Sequence, residues 1–149
     1  MPTTVLTIVL LMCSGTMAGG MVLVAAAVIP TFRRLPLASY VQMHSMLSHY
    51  IDRYMPAIVL LTIPVGFATM WLSVRWSALV GIGVLLTIFA AGISYFGNAP
   101  INRAIRSWDS ERVPVESLQL RERWCRLHLW RTVAGFLALM VFAAAAALH

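Results

Sequence analysis

A chain of 149 residues, 60% hydrophobic and only 11% charged, is too apolar for a soluble domain, whose apolar share is nearer half. Its 11 basic against 5 acidic residues give a net charge of +6, yet every cation is an arginine standing beside an apolar run. Membrane topology and lipid headgroups account for such a pattern, and nucleic acid is not expected as a partner.

The first apolar run, about residues 4–29, is long enough to cross a bilayer as a helix. Met1 to Thr4 lacks the basic start of a signal peptide, so a span is expected rather than a leader. Gly15 and Gly19 form a small-xxx-small pair, read as a close contact with another helix of the same chain, with a dimer interface as the alternative. Cys13 lies within this run and Cys125 near the opposite face, so no internal disulfide is expected.

Between Pro30 and Pro56 the chain turns polar, but Tyr40, His44, Leu47, Ile51 and Tyr54 recur at helical spacing. The second helix therefore starts near Ala38, extends beyond the membrane, and is kinked by Pro56 before spanning residues 56–74. Arg75-Trp76 is all that separates it from a third span, 77–97, thinned by Gly81, Gly83, Gly92 and Gly97 for helix packing. Asn98 and Pro100 close that span, the amide as a cap and the proline as a stop. Asn102, with Arg103 and Arg106 after it, is unexplained by that ending and supplies donors for an anion, a carbonyl or a partner helix. Pro114 and Glu116 read as the start of a fourth helix running from Val115 to Leu148, with its span at 127–148.

The expectation is an all-α, single-domain integral membrane four-helix bundle with helices 2 and 4 extended on the cytoplasmic side. Ten arginines lie on the side of the two long polar segments and only Arg75 on the other. That bias places those segments in the cytoplasm, both termini outside, and the protein in the inner membrane. A homo-oligomer is compatible with so small a bundle.

Chemistry collects at the polar end. Arg121, Trp124, His128 and Arg131 are spaced three, four and three, one stripe of the fourth helix. A stripe that polar faces protein or a water-filled cavity, because arginine at depth in lipid costs roughly 2.5–3.5 kcal/mol on insertion scales. His44 and His128 fall at similar heights on different helices, where a bundle can build a metal or haem site. His49, about 140° around the helix from His44 at roughly 100° per residue, is left to the surface, and His149 to the terminus. Asp52 has two readings, a partner for Arg53 or another cation and a catalytic carboxylate. Tyr54 is a candidate substrate contact. CxxC, HExxH and phosphate-loop motifs are absent, and carboxylates are too few for a di-iron bundle.

Asn98-x-Pro100-x-Asn102, followed by Arg123-Trp124, His128 and Arg131-Thr132, resembles the anthrone oxygenase-like family of small four-span membrane proteins. The likeness extends over nearly the whole chain, through Gly19-Gly20, Pro30 and the stretch from His44 to Met55-Pro56. Fungal members are associated with oxidation of anthrones to anthraquinones by dioxygen. The resemblance implies a site of Asn98, Asn102, Trp124, His128 and Arg131, with His44 and Asp52 added from the preceding hairpin.

Three functions follow as expectations. The first is a cofactor-free oxygenase for a hydrophobic aromatic or quinone-like molecule, in which His128 or His44 removes a proton and Arg131, Asn98 and Asn102 hold the resulting anion. A second is a haem or metal protein with His44 and His128 as ligands and Arg121 or Arg123 near the propionates. The third is a non-enzymatic protein whose arginines bind anionic lipid or a cytoplasmic partner.

Overall fold

The computed structural model describes residues 2–72, 74–109, 112–114 and 116–148. His149 and the expected helix start at Val115 lie outside them. Four helices make the fold: α1, Pro2–Arg34; α2, Leu37–Leu72; α3, Ser77–Arg106; and α4, Ser117–Ala147. Each is long and apolar enough to cross a membrane, and no strand occurs among the described residues. The protein is an all-helical, multi-pass membrane protein.

The links of two residues after α1 and four after α2 force those helices to run antiparallel to the next in sequence. Helix α1 packs against α2 and α4, and α3 packs against α2 and α4, giving a closed up-and-down ring. At 36 residues α2 would measure about 54 Å, well beyond a hydrocarbon core of about 30 Å. Outward-facing Tyr50, Tyr54, Tyr95 and Trp130 gather toward the polar end, with Trp71 toward the other. These residue types populate membrane–water interfaces.

Helix α2 runs from Leu37 to Leu72 with Pro56 and Pro64 inside it, as one continuous helix. One expectation at a proline is corrected. The third helix does not stop at Gly97 or use Asn98 as a side-chain cap. It passes through a wide π turn at Ile93–Asn98 and continues to Arg106, with Pro100 in the first turn of the continuation. Helix α1 does the same, with a π turn at Val24–Val28 ahead of Pro30. Proline lacks an amide proton and its ring crowds the carbonyl four residues back. In both helices that carbonyl, of Ala26 or Phe96, lies inside the wide turn, so the helix accommodates the ring there and goes on.

Glycine packing also departs from expectation in part. A Cβ at Gly83 would strike the Phe142 ring, and one at Gly97 would meet Leu127, so α3 and α4 approach closely at both. Gly66 against Val84 and Gly135 against Met21 tighten two further contacts. Gly15 and Gly19, by contrast, have nothing within 4 Å, and neither has Gly92. Gly15 and Gly19 share the face of α1 that carries exposed Met12 and Leu23, turned away from the rest of the bundle.

The apolar end is filled by Leu10, Val80, Val84, Ala138, Phe142 and Ala145. Buried hydroxyls there need no cross-helix partner, since Thr62, Thr69 and Thr87 each donate to the carbonyl four residues back in their own helix. At the polar end Phe32, Tyr40, Ile101, Ile105, Trp124 and Cys125 form a second core. Arg121 ties that end together: its Nη1 donates to the carbonyls of Phe32 at 3.1 Å and Leu35 at 3.3 Å, and its guanidinium carbon lies 5.4 Å from the Tyr40 ring centroid. The more exposed Arg33–Glu122 pair at 2.9 Å adds about 0–1 kcal/mol.

Candidate active site

Three polar rows converge beside the polar core. His44, Ser48 and Asp52 lie one turn apart on α2; Asn98, Asn102 and Arg106 lie one turn apart on α3; Trp124, His128 and Arg131 descend α4. Four-residue spacing on a helix puts each row on one face, and ring packing of the bundle turns those faces toward each other.

Asn102 is the hub. Its side-chain Oδ1 accepts from the indole Nε1 of Trp124 at 2.8 Å and faces His44 Nε2 at 3.0 Å, while its Nδ2 donates to the Asp52 carboxylate at 3.0 and 3.2 Å. An indole only donates and a carboxylate only accepts, so the amide has a single orientation. The Nε2 of His44 must then carry a proton, and in the neutral ring the lone pair resides on Nδ1. That Nδ1 is buried and has no hydrogen-bond partner. Phe32, Tyr40 and Trp124 surround the ring with centroids 4.8–5.4 Å away. At the outer edge, Arg106 Nη1 donates to Asp52 at 2.7 Å and to Ser48 Oγ at 3.1 Å, anchoring the carboxylate.

His128 is arranged differently. The guanidinium of Arg131, a donor only, directs Nε at 3.1 Å and Nη2 at 2.8 Å at His128 Nδ1. His128 Nε2 therefore carries the proton and donates to the Met21 carbonyl at 3.1 Å. Both ring nitrogens are engaged. Arg131 Nη1 reaches Ser94 Oγ at 3.1 Å, and no ion pair of Arg131 is found among the described residues.

His44, Ser48, Asp52, Asn102, Trp124 and Arg131 share one small cavity of about 20 Å³, lined as well by Val24, Phe32, Leu47 and Ile51. A space that size holds about one water molecule. Both π turns border this region: Val24 belongs to one, and Ser94 and Asn98 to the other. Wide turns inside α-helices occur often at functional sites.

Of the residues singled out in sequence, His44, Asp52, Asn102, Trp124 and Arg131 come together around the cavity, and His128 stands behind Arg131. Asn98 sits deeper, its Nδ2 donating to the Trp124 backbone carbonyl at 3.2 Å and its buried Oδ1 without a partner. Arg121 is spent on backbone carbonyls one turn beyond Trp124. Tyr54 is 49% exposed on the outer face and does not line the cavity. Ser48 and Ser94 were not singled out, although the one-turn spacing of Ser48 from both His44 and Asp52 was visible in the chain.

The two imidazoles meet Trp124 rather than each other, with centroids 4.8 Å from His44 and 5.2 Å from His128. With the indole between them, three of four ring nitrogens bonded and a cavity of about 20 Å³, the pair does not fit a haem or a shared metal ion. No group of three or more metal-ligating side chains occurs among the described residues.

The anthrone oxygenase family model matches residues 43–147, taking in all of His44, Asp52, Asn98, Asn102, Trp124, His128 and Arg131. No curated protein and no solved structure matches the chain. A match over that share of its length, on a four-helix membrane fold with these side chains gathered at one end, makes the chain a member of the anthrone oxygenase family.

Proposed function

We propose that this protein is a membrane oxygenase that converts an activated methylene of a hydrophobic aromatic ketone to a carbonyl, using dioxygen without a bound cofactor. The observation that carries this is the unpartnered, buried Nδ1 of His44 beside a cavity shared with a guanidinium that has no ion-pair partner among the described residues.

A methylene flanked by aryl rings conjugated to a ketone is acidic, because its carbanion spreads onto the ketone oxygen. His44 Nδ1 takes that proton as general base. Nε2 keeps its proton, donated in the hydrogen bond to Asn102 Oδ1, and the Asp52 carboxylate behind the amide favours the imidazolium so formed. Arg131, aimed by His128 and Ser94, holds the oxyanion in a site of low dielectric. The carbanion gives its electrons to dioxygen and a C–O bond forms; His44 returns its proton to the peroxide. Loss of water from the hydroperoxide leaves the new carbonyl, so CH2 and O2 become C=O and H2O. One oxygen atom ends in each product.

Exposed Arg34, Arg53, Arg103, Arg123 and Arg126 ring the same end of the bundle and suit the phosphates of an inner leaflet. Their one-sided distribution supports a cytoplasmic orientation of this end in the inner membrane, with the termini outside.

Turnover of anthrone in air-equilibrated vesicles, followed by quinone absorbance, is the test. Wild-type protein should form quinone with one O2 consumed per product, and His44→Gln should not. Wild-type protein that leaves the anthrone at its uncatalysed oxidation rate, across a panel of aryl ketones, overturns the reading.

A further inference from the structure

A cavity with room for one water cannot hold fused aromatic rings, so a wall has to move. The polar walls are the wrong ones to displace: Asn102 is bonded to three side chains, and Arg131 to His128 and Ser94, so shifting either leaves buried donors unpaired. Val24 of α1 and Leu47 and Ile51 of α2, which also line the cavity, have no side-chain hydrogen bonds to break.

These residues belong to one seam. Met55 places its terminal methyl over Gly20, in a notch that any Cβ at that position would fill. In antiparallel helices this register brings Val24 opposite Ile51 and Val28 opposite Leu47, at one-turn steps toward His44. Val24 and Ile51 both line the cavity, and Val28 and Leu47 both pack on the polar core, as that register requires. The α1 side of the seam is the π turn Val24–Val28, and its α2 side, Leu47, Ile51 and Met55, is half-buried rather than sealed. Methionine is unbranched and swings aside readily.

We propose that the ring system of the substrate binds between α1 and α2, walled by Val24, Leu47 and Ile51, with Met55 over Gly20 as the residue that limits its length. The ligand class, a flat diaryl or fused-ring ketone with its oxygen toward Arg131, rests on the oxygenase reading above. The placement of the rings rests on the seam.

Benzophenone, a membrane-soluble diaryl ketone that inserts into C–H bonds on illumination, tests the placement in full-length protein reconstituted in phospholipid vesicles. Adducts mapped by mass spectrometry should concentrate on Val24, Leu47, Ile51 and Met55 and be suppressed by excess anthrone. Met55→Trp should cut labelling of Leu47 and Ile51 about tenfold, the scale on which pocket size discriminates ligands. Met55→Ala should keep that labelling and its suppression, which decides the matter if the tryptophan variant does not fold. Adducts spread over outward-facing Leu60, Phe67 and Trp71 and indifferent to anthrone overturn the proposal. Quinone formation without seam labelling overturns it and leaves the oxygenase reading intact; anthrone-sensitive seam labelling without turnover supports the subsite and removes the oxygenase.

Discussion

His44 and Asn102, 58 residues apart in sequence, meet through a 3.0 Å hydrogen bond that fixes which nitrogen of the imidazole is left free. The same amide is held by Asp52 on one side and Trp124 on the other, so three helices contribute to one tautomer. Replacing it with leucine of similar size removes the acceptor of two buried donors. Asn102→Leu is expected to destabilise the bundle by about 1–3 kcal/mol for each donor left unpaired, and to abolish turnover. Thermal unfolding in detergent, alongside the quinone assay, checks both effects.

The two histidines should separate in a mutational test. His44→Gln removes the one ring nitrogen of this pair that has no partner and should lower turnover about 10²–10⁴-fold, the range for a lost general base. His128 acts through Arg131, so His128→Gln, which can still accept a hydrogen bond from the guanidinium, should cost roughly tenfold or less on the same scale. Equal losses in kcat for the two variants would contradict the assigned division of labour.

Arg131 directs three nitrogens at two fixed acceptors, which a single ammonium cannot reproduce. Arg131→Lys should therefore reduce kcat about 10²–10³-fold, as when an oxyanion donor is lost. If the arginine-rich end served only to bind anionic lipid, the lysine variant would keep its function, and steady-state rates distinguish the outcomes.

Helix packing offers a test independent of catalysis. Gly83→Leu must displace the Phe142 ring and should destabilise by about 1–3 kcal/mol, as overpacking does. Gly19→Ala meets open space and should change stability by no more than about 0.5 kcal/mol. Unfolding midpoints of the two variants in one detergent give the comparison. A large loss for Gly19→Ala would mean that its face is covered in the membrane by something other than this chain.

Four spans, their antiparallel order and the polar end were readable in the chain because lipid leaves a long apolar run only one way to close its backbone hydrogen bonds. Arg121, Trp124, His128 and Arg131 were readable as one polar stripe of the fourth helix, and Asn102 as an amide that the helix end left unexplained; it was the family resemblance that joined Asn98, Asn102, Trp124, His128 and Arg131 into one site. Helix ends at Pro100 were misread, since proline's local rule says stop, and only the wide turns ahead of Pro30 and Pro100 show how each helix continues.

What the sequence determined by itself was therefore periodic and local: which segments are helices, and which faces carry polar atoms. Tertiary structure decided what a period cannot express. The rotation of α2 relative to α3 and α4 leaves His44 with a free nitrogen and uses up both on His128. The rotations of α1 and α3 within the bundle turn Gly19 outward and Gly83 inward, though both are glycines in apolar helices. Hydrogen-bond direction and close contact depend on angles between helices, and those are set by how all four pack at once.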